Sequence, residues 1–384
     1  MHISKIEAVP FRLPARRDFK WAGLLGDLGG FVLVKITTKS GIVGYGEATP
    51  LPDWGGDFGR HGGETVRTVC SIVNDVLAPH LIGQDASAVT AAREIMDGAI
   101  VGNTYAKCAI DIALHDAWGK SAALPVYKLL GGACRRSVRV AHMVGLMDDA
   151  SATEEAVGAF ADGVGALQIK GGVDPVRDVR LIGALRRELG AGVLLRLDAN
   201  QGYRDAKSAI DIVKRLANAG ADFVEQPARG LRDMASVTHQ SPIPIIADES
   251  CWDINDAMEV VQAGAADCLS IYLAKAGGFV GAAKVAALAH ATNLRCDVNG
   301  SIESAIGNAA NLHFALAMPG VTLPSVIPVS APAGQHPYKI AGNYYGDDIC
   351  THAFHVEDGA LLPLNGPGLG IVVDEAKVER FRGD

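Results

Sequence analysis

Polar side chains that could do chemistry recur at a regular spacing in the second half of the chain. Each follows an apolar run and comes 23 to 28 residues after the one before it. In order they are Lys170, Asp198, Glu225, Asp248, Tyr272 and the pair Asp297 and Asn299. Crowded carboxylates repel one another and are costly to bury, and a hard divalent cation with oxygen ligands removes that cost. The pattern therefore predicts a Mg²⁺ site, which Mn²⁺ could also fill, at Asp198, Glu225 and Asp248.

Lys170 stands one step before the three carboxylates and is the predicted acid/base. A lysine beside a divalent cation can have a lowered pKa and act as a base near neutrality. The cation acidifies the α-proton of a carboxylate substrate and stabilises the enediolate formed when that proton leaves. The plainer alternatives are that each acid caps the helix after its strand, and that Lys170 faces solvent or pairs with Asp198.

The elements that must position these residues alternate strand and helix from about residue 137 onward. The repeated step accommodates a strand, a crossover helix and two turns, as parallel strands require. Asp174 and Pro175 are typical of a helix start. Repeated units of this kind predict a (β/α)8 barrel, whose chemistry lies at the C-terminal strand ends. A doubly wound open sheet is less favoured because no G-x-G-x-x-G follows the first strand.

The flanking regions differ from the barrel repeat. The stretch "FVLVKITTKSGIVGYGEATP" predicts a hairpin turning at Ser40 and Gly41, and helical patterns follow near 64–78 and 104–120. We therefore expect an α+β capping domain over residues 1–130 and a barrel over 131–328. Residues 329–384 form a segment that packs back on the cap.

Composition limits the partners and the compartment. The net charge is −8 with no basic stripe, and no apolar run reaches the roughly 18 residues of a membrane span. The odd number of cysteines, seven, argues against a disulfide framework. We expect a cytoplasmic protein that binds neither nucleic acid nor membrane.

Several motifs, in order along the chain, resemble the enolase superfamily and its muconate-lactonizing subgroup, which is muconate cycloisomerase- and mandelate racemase-like. They are "GIVGYGEATP", "LRLDANQGY", "FVEQPA", "IIADES", "DVNGSIESAIGNAANLH" and "GPGLGI". The resemblance runs almost end to end. It implies a modified TIM barrel with a cap, metal binding at Asp198, Glu225 and Asp248, and α-proton abstraction from a small carboxylate. It also implies a symmetric homo-oligomer.

The sequence departs from the subgroup pattern at two lysines. The usual Lys-x-Lys at the second strand is Gln168-Ile169-Lys170, and the usual sixth-strand lysine, 24 residues after the third ligand, is Tyr272. A tyrosine with a pKa of about 10 is a poor base, so Tyr272 is expected to donate a proton or hydrogen bond, or to form a wall. Lys275, in the glycine-rich stretch that follows, is expected at the loop or rim.

The missing lysine bears on the reaction. Racemases and epimerases need a proton-transfer group on each face of the α-carbon, whereas one-base chemistry needs only Lys170. We favour a β-elimination, catalysed by a dehydratase or lyase, with a muconate-type cycloisomerisation as the alternative. An amino-acid-derivative racemase or epimerase, a Schiff-base aldolase using Lys170, and a non-catalytic binding relative are other possibilities. Muconate-like diacids and hydroxylated proline-type acids are candidate substrates. Sugar acids are disfavoured because no His–Asp pair stands at the later strands.

Substrate contacts are predicted from the strand ends and from two glycine-rich segments, residues 19–30 and 51–65. Such segments with embedded aromatic residues are typical of lids, although the rings could instead anchor the loops. Arg60 and His61 would bind a distal carboxylate. The full predicted set is Gln168, Asn200, Lys275, Asn299, Trp21, Trp54, Arg60 and His61.

Overall fold

The computed structural model describes residues 1–16, 20–24, 28–300 and 302–383. An antiparallel sheet opens the chain, in the order β1-β2-β3. Its strands are β1 (Ile3–Arg12), β2 (Gly30–Thr38) and β3 (Val43–Ala48). The predicted hairpin is present, with its turn at residues 39–41.

Helices cover one side of this sheet. They are α1 (Val66–Ser71), α2 (Ala78–Leu81), α3 (Val89–Ala99), α4 (Thr104–Ala122) and α5 (Val126–Leu129), with a π-helical turn (Ile72–Leu77) between α1 and α2. Helix α4 packs unusually close to β3, because Gly44 and Gly46 carry no side chain. A Cβ atom at Gly46 would lie 1.9 Å from the backbone oxygen of Ala109.

A parallel sheet of β5 to β11, in sequence order, forms the centre of the chain. Its elements follow one another as β4 (Val138–Arg139), β5 (His142–Val144), α6 (Asp149–Ala161), β6 (Ala166–Lys170), α7 (Pro175–Leu189), β7 (Leu194–Asp198), α8 (Ala206–Ala219), β8 (Phe223–Glu225), α9 (Leu231–Gln240), β9 (Ile245–Ala247), α10 (Ile254–Ala263), β10 (Cys268–Ile271), α11 (Leu273–Ala276), α12 (Phe279–Ala291), β11 (Arg295–Val298) and α13 (Ala305–Ala317). Residues 321–326 take the position of the eighth barrel strand. Parallel bridges join Val321 to Cys296 in β11 and Val326 to Asn299 just after it, and another joins Ser325 to Val140 beside β5.

The predicted fold class, a modified (β/α)8-type barrel with a capping domain, is confirmed. The predicted strand ends are observed at Lys170, Asp198 and Glu225, and the later ones within one residue. These strands are largely buried on both faces, as the strands of a parallel barrel sheet are.

The C-terminal segment runs back along both parts of the chain. Its short strand β12 (Val356–Glu357) pairs with β13 (Ala360–Leu361), β13 pairs with β4, and α14 (Glu375–Arg380) follows. The Glu375 carboxylate accepts from Lys35 Nζ at 2.8 Å and from the Tyr45 hydroxyl at 2.7 Å, both on the N-terminal sheet. The division into domains at residues 130 and 328 stays a prediction. In the described ranges, no helix combines the length and the apolar character needed to cross a membrane.

Candidate functional site

Strand pairing brings the predicted acid/base and the first two predicted ligands side by side. Lys170 pairs with Asp198 across β6 and β7, and Asp198 pairs with Glu225 across β7 and β8. Asp248 directly follows β9, which is the next strand of the sheet. All three carboxylates are buried. The C-terminal ends of four adjacent strands therefore deliver one lysine and three carboxylates to one rim.

These carboxylates do not cap the helices that follow them. Asp174, Asp205 and Asp253 are the N-caps of α7, α8 and α10, each accepting backbone N–H groups through its side chain, and Gly230 precedes α9. The capping alternative therefore does not explain why acids stand at the strand ends.

Side-chain donors hold the three carboxylates. Lys170 Nζ donates to Asp198 Oδ2 at 2.6 Å, and Lys275 Nζ donates to Asp248 Oδ1 at 2.7 Å. Gln168 Nε2 bridges Asp198 Oδ2 at 3.3 Å and Glu225 Oε2 at 2.8 Å. In the described part of the chain, no group of three or more His, Cys, Asp or Glu side chains is arranged to hold a metal ion as it stands.

The donor set nevertheless suits a divalent cation, because its buried carboxyl groups outnumber its buried cationic groups. The buried carboxylates are Asp198, Glu225, Asp248, Glu249 and Asp297, and the buried cations are Lys170, Arg196 and Lys275. Burial raises the pKa of Glu225 well above its ordinary value, and the carboxylates of Asp198 and Asp248 add to this against the guanidinium of Arg196. Burial also raises the pKa of Asp248, despite its pairing with Lys275. Two further positive charges among oxygen donors would remove this excess, as Mg²⁺ does.

Polar contacts from Arg196 and Asn299 hold the Glu225 carboxylate in place. Arg196 Nε lies 3.2 Å from Glu225 Oε2, and its guanidinium also pairs with Asp297. Asn299 Nδ2 donates to Glu225 Oε1 at 3.2 Å and to Ser270 Oγ at 2.7 Å. Asn299 therefore lies against a predicted ligand rather than in the pocket lining. Sequence reasoning missed Arg196, although the two-residue alternation of β7 places it on the same face as Asp198.

A pocket opens at this rim of the barrel, with Asp248 in its lining. It is lined by Trp21, Leu51, Trp54, Met143, Gln168, Lys170, Asn200, Asp248, Tyr272 and Gly300. Four of the eight predicted substrate contacts are among them: Trp21, Trp54, Gln168 and Asn200. Within the segment at 19–30, residues 19 and 25–27 lie outside the described residues.

Lys170 and Tyr272 both line this pocket, and the pKa of each is raised for a different physical reason. Burial acts to lower the pKa of Lys170, and the carboxylates of Asp198 and Glu225 outweigh burial and raise it. The predicted lowering of this pKa therefore depends on a bound cation. Burial, reinforced by Asp248 and Glu225, raises the pKa of Tyr272 well above 10. The phenol consequently keeps its proton and can donate a hydrogen bond.

Arg60 and His61 are not brought to the pocket. His61 Nε2 lies 2.7 Å from Asp256 Oδ2, and Arg60 lies 3.2 Å from both Asp256 and Glu259. Because both side chains already contact acids of the barrel helix α10, their placement gives no support to the expectation that they bind a distal carboxylate.

Lys275 is also placed differently from the expectation of a loop or rim residue. It belongs to α11 and is only 1% exposed. Its ammonium donates to Asp248 and to the backbone oxygen of Ser270, and it lies 4.5 Å from the centre of the Tyr272 ring. It therefore lies behind the pocket wall.

Comparison with known protein families identifies the chain. Residues 151–377 match the family described as enolase C-terminal domain-like, and residues 26–131 match the mandelate racemase / muconate lactonizing enzyme N-terminal domain. The chain belongs to the enolase superfamily. The resemblance inferred from the motifs is thereby confirmed, and with it the prediction of an enzyme of the isomerase or lyase type.

Individual members of the superfamily differ in the reaction named for them. Muconate cycloisomerase 1 of Rhodococcus opacus is 32% identical over 99% of this chain and 98% of its own length. The L-Ala-D/L-Glu epimerase of Bacillus subtilis is 34% identical over 84% and 87%. Among solved structures, the muconate lactonizing enzyme of Pseudomonas fluorescens complexed with muconolactone superposes with a TM-score of 0.90 at 30% identity, covering 100% of this chain and 99% of that one.

Proposed function

We propose that this enolase-superfamily enzyme is a metal-dependent, one-base isomerase of a small carboxylate, of the cycloisomerase type, with Lys170 as its acid/base. The observation that carries the proposal is the pair of groups lining the pocket. Lys170 ends the second strand of the barrel, and Tyr272 follows the sixth, where a second base would stand.

Asp198, Glu225 and Asp248 are the residues that would hold Mg²⁺. When bound, the cation would neutralise the substrate carboxylate and make the adjacent carbon more acidic. The support for this assignment is the chemistry of the donors, which are buried carboxyl groups that outnumber their buried lysine and arginine partners.

The chain's own residues supply proton transfer and enclosure. Lys170 moves the proton at the α-carbon, and Trp21, whose ring centre lies 5.7 Å from Lys170 Nζ, covers it from solvent. Gln168 holds Asp198 and Glu225 together without adding a charge. Tyr272 offers its hydroxyl proton to the other side of the bound substrate.

The muconate and chloromuconate cycloisomerases among the relatives support the cycloisomerase type over the β-elimination favoured by the motifs alone. A single base suits ring closure or opening, in which one proton is added or removed. Two-base racemisation, as the epimerase relative would suggest, is less well supported, because Tyr272 stays protonated. A dehydratase remains the second candidate, since the same phenol could protonate a departing hydroxyl group.

The test is turnover of a panel of carboxylates in D₂O, followed by proton NMR. The panel should hold muconates, their lactones, hydroxyprolines, N-acyl amino acids and aldonates. We expect lactone formation or opening with deuterium at one α-position, lost with EDTA and in Lys170→Ala. Lys214→Ala, on the barrel helix α8, serves as the matched lysine control. Exchange without EDTA sensitivity, or turnover surviving in Lys170→Ala, would contradict the proposal.

The expected cytoplasmic location and homo-oligomeric assembly stay predictions. Size-exclusion chromatography with light scattering would measure the assembly.

A further inference from the structure

The loop between β3 and α1, residues 49–65, covers the pocket, and we call it the cap loop. Leu51 and Trp54 line the pocket from it, and the Trp54 ring centre lies 5.1 Å from that of Tyr272. Loops of this length with little regular structure are uncommon and usually functional. The question is what holds the cap loop in place over the barrel.

Asp57 is the buried attachment point of the cap loop. It is 6% exposed although it lies in a loop. Its Oδ1 accepts from the backbone N–H of Gly230 at 3.0 Å, and its Oδ2 accepts from the Ser250 hydroxyl at 2.7 Å. Gly230 and Ser250 belong to the two barrel loops that begin at Glu225 and Asp248, two of the three predicted metal ligands.

Gln226 joins those two barrel loops to each other and to Asp57. Its Nε2 donates to Ser250 Oγ at 2.7 Å, and its Oε1 accepts from the backbone N–H groups of Asp248 at 2.9 Å and Ser250 at 3.2 Å. Gln226 also has a positive φ of 38°, which is costly for a residue other than glycine and is held only by surrounding contacts. A continuous hydrogen-bond chain thus runs from Asp57 to the backbone beside both carboxylates.

We propose that Asp57 is a positioning residue that couples docking of the cap loop to the barrel loops carrying Glu225 and Asp248. Docking of the cap loop over the pocket and positioning of the Glu225 and Asp248 carboxylates then occur together. The role in cation binding rests on the proposed function, whereas the coupling between the loops does not.

The energetics of Asp57 suit a reversible contact. Its carboxylate is buried against two hydrogen-bond donors, and no ion pair joins it to another described residue. Burying a carboxylate is costly, and the two hydrogen bonds that it accepts offset that cost. The docked state is therefore only moderately favoured, as a loop that must open for substrate requires.

A second attachment of the cap loop provides a control. Arg60 pairs with Asp256 and Glu259 at 3.2 Å, on helix α10 and away from Gln226 and Ser250. Arg60→Ala removes a contact between the same cap loop and the barrel, but it leaves the chain through Ser250 and Gln226 intact.

The experiment is backbone hydrogen exchange, read by mass spectrometry on the metal-free protein, for the wild type, Asp57→Ala, Ser250→Ala and Arg60→Ala. We expect Asp57→Ala and Ser250→Ala to increase exchange several-fold in the cap loop and also in residues 226–230 and 248–252. Arg60→Ala should increase it in the cap loop alone. Exchange that rises only in the cap loop of Asp57→Ala and Ser250→Ala would overturn the coupling. Using two variants on the same chain guards against one that fails to fold.

A titration with Mn²⁺ then tests the link to the carboxylates. We expect Asp57→Ala to weaken cation binding several-fold while Arg60→Ala leaves it unchanged. Equal affinities in Asp57→Ala and the wild type would overturn the positioning role. A wild type that binds no cation would instead refute the metal site of the proposed function, and the hydrogen-exchange result would still decide the coupling.

Discussion

At the residue scale, the site differs from a two-lysine arrangement in where its positive charge lies. The sixth-strand position carries a phenol, and the Lys275 ammonium lies behind that ring, paired with Asp248. The charge is therefore close to the pocket but blocked from the substrate by Tyr272. One face of the pocket offers a lysine, and the other offers a neutral hydrogen-bond donor.

Replacing Tyr272 by phenylalanine tests this donor. The ring and its contacts with Trp54 and Lys275 are kept, and only the hydroxyl is lost. We expect kcat to fall about 10²- to 10³-fold, as when one donor to a developing oxyanion is removed, with KM changed much less. Steady-state kinetics on the substrate found in the NMR panel measure this. An unchanged kcat would make Tyr272 a wall, and loss of a rapid racemisation in the variant would instead make it a second base.

Prediction from sequence succeeds at the strand ends and fails where a partner comes from far along the chain. Lys170, Asp198 and Glu225 were placed correctly at their strand ends because their positions follow from a regular repeat. The prediction that Arg60 binds substrate fails because nothing in the residues near it indicates its partner Asp256, which lies on the barrel helix α10. The prediction that Lys275 lies in a loop or at the rim fails for a similar reason. Its burial depends on its contacts with Asp248 and with the Tyr272 ring.

At the element scale, helix α4 of the N-terminal part of the chain supplies the side chain that caps the N-terminus of barrel helix α12. Helix α12 begins after Gly278, which has no side chain to cap it, and the Asp111 carboxylate of α4 accepts the N–H of Phe279 at 2.7 Å instead. A Cβ atom at Gly278 would lie 2.4 Å from the Asp111 side chain. The glycine and the aspartate therefore act as one capping unit shared by two elements.

Asp111→Ala should remove this cap. We expect a loss of about 1–2 kcal/mol in the free energy of unfolding, the usual cost of deleting a helix cap. Urea denaturation followed by circular dichroism measures it. Asp174→Ala, which removes the conventional cap of α7, is the matched comparison. If Asp111→Ala were as stable as the wild type, water would have to replace the carboxylate at Phe279.

The N-terminus of α13 is held by another buried carboxylate, on β3. Glu47 Oε1 accepts from the Ser304 N–H at 2.9 Å and from the Thr49 hydroxyl at 3.2 Å. Burial raises the pKa of Glu47 from 4.5 to about 8, because the cost of burying its charge outweighs the hydrogen bonds from Ser304; the carboxylates of Glu303 and Asp348 raise the pKa further. The folded chain thus holds a proton that the unfolded chain releases.

Glu47→Gln should therefore change how stability depends on pH. Because the folded pKa is the higher one, the wild type loses stability as pH rises from about 4.5 to 8, by up to a few kcal/mol. Glutamine cannot ionise, so the variant should lack this loss and gain on the wild type as pH rises. Thermal melts at pH 5, 7 and 9 measure the difference. A constant gap between the two proteins across these pH values would contradict the prediction.

At the scale of the whole molecule, one imidazole joins three parts of the chain. His313, on α13, accepts the N–H of Tyr127 from α5 through Nδ1 at 3.3 Å. Its Nε2 donates to the backbone oxygen of Leu369, in the C-terminal segment, at 3.1 Å. Both contacts need the neutral ring with its proton on Nε2, and burial correspondingly lowers the pKa of His313 to about 4.

Because this histidine is buried and neutral, we expect the folded chain to lose stability at acid pH. Below about pH 6.5 the unfolded chain takes up a proton that the folded chain refuses until about pH 4, so stability falls as pH drops through that window. At about 1.4 kcal/mol per pKa unit, the loss approaches about 3 kcal/mol. His313→Gln, which keeps a donor toward Leu369, should flatten the fall in urea midpoint between pH 7 and pH 4.5, at some cost in stability at pH 7. His290→Gln, at an exposed site, should keep the wild-type slope. Equal slopes in all three proteins would show that His313 already ionises in the fold, and that the junction between cap, barrel and tail tolerates its charge.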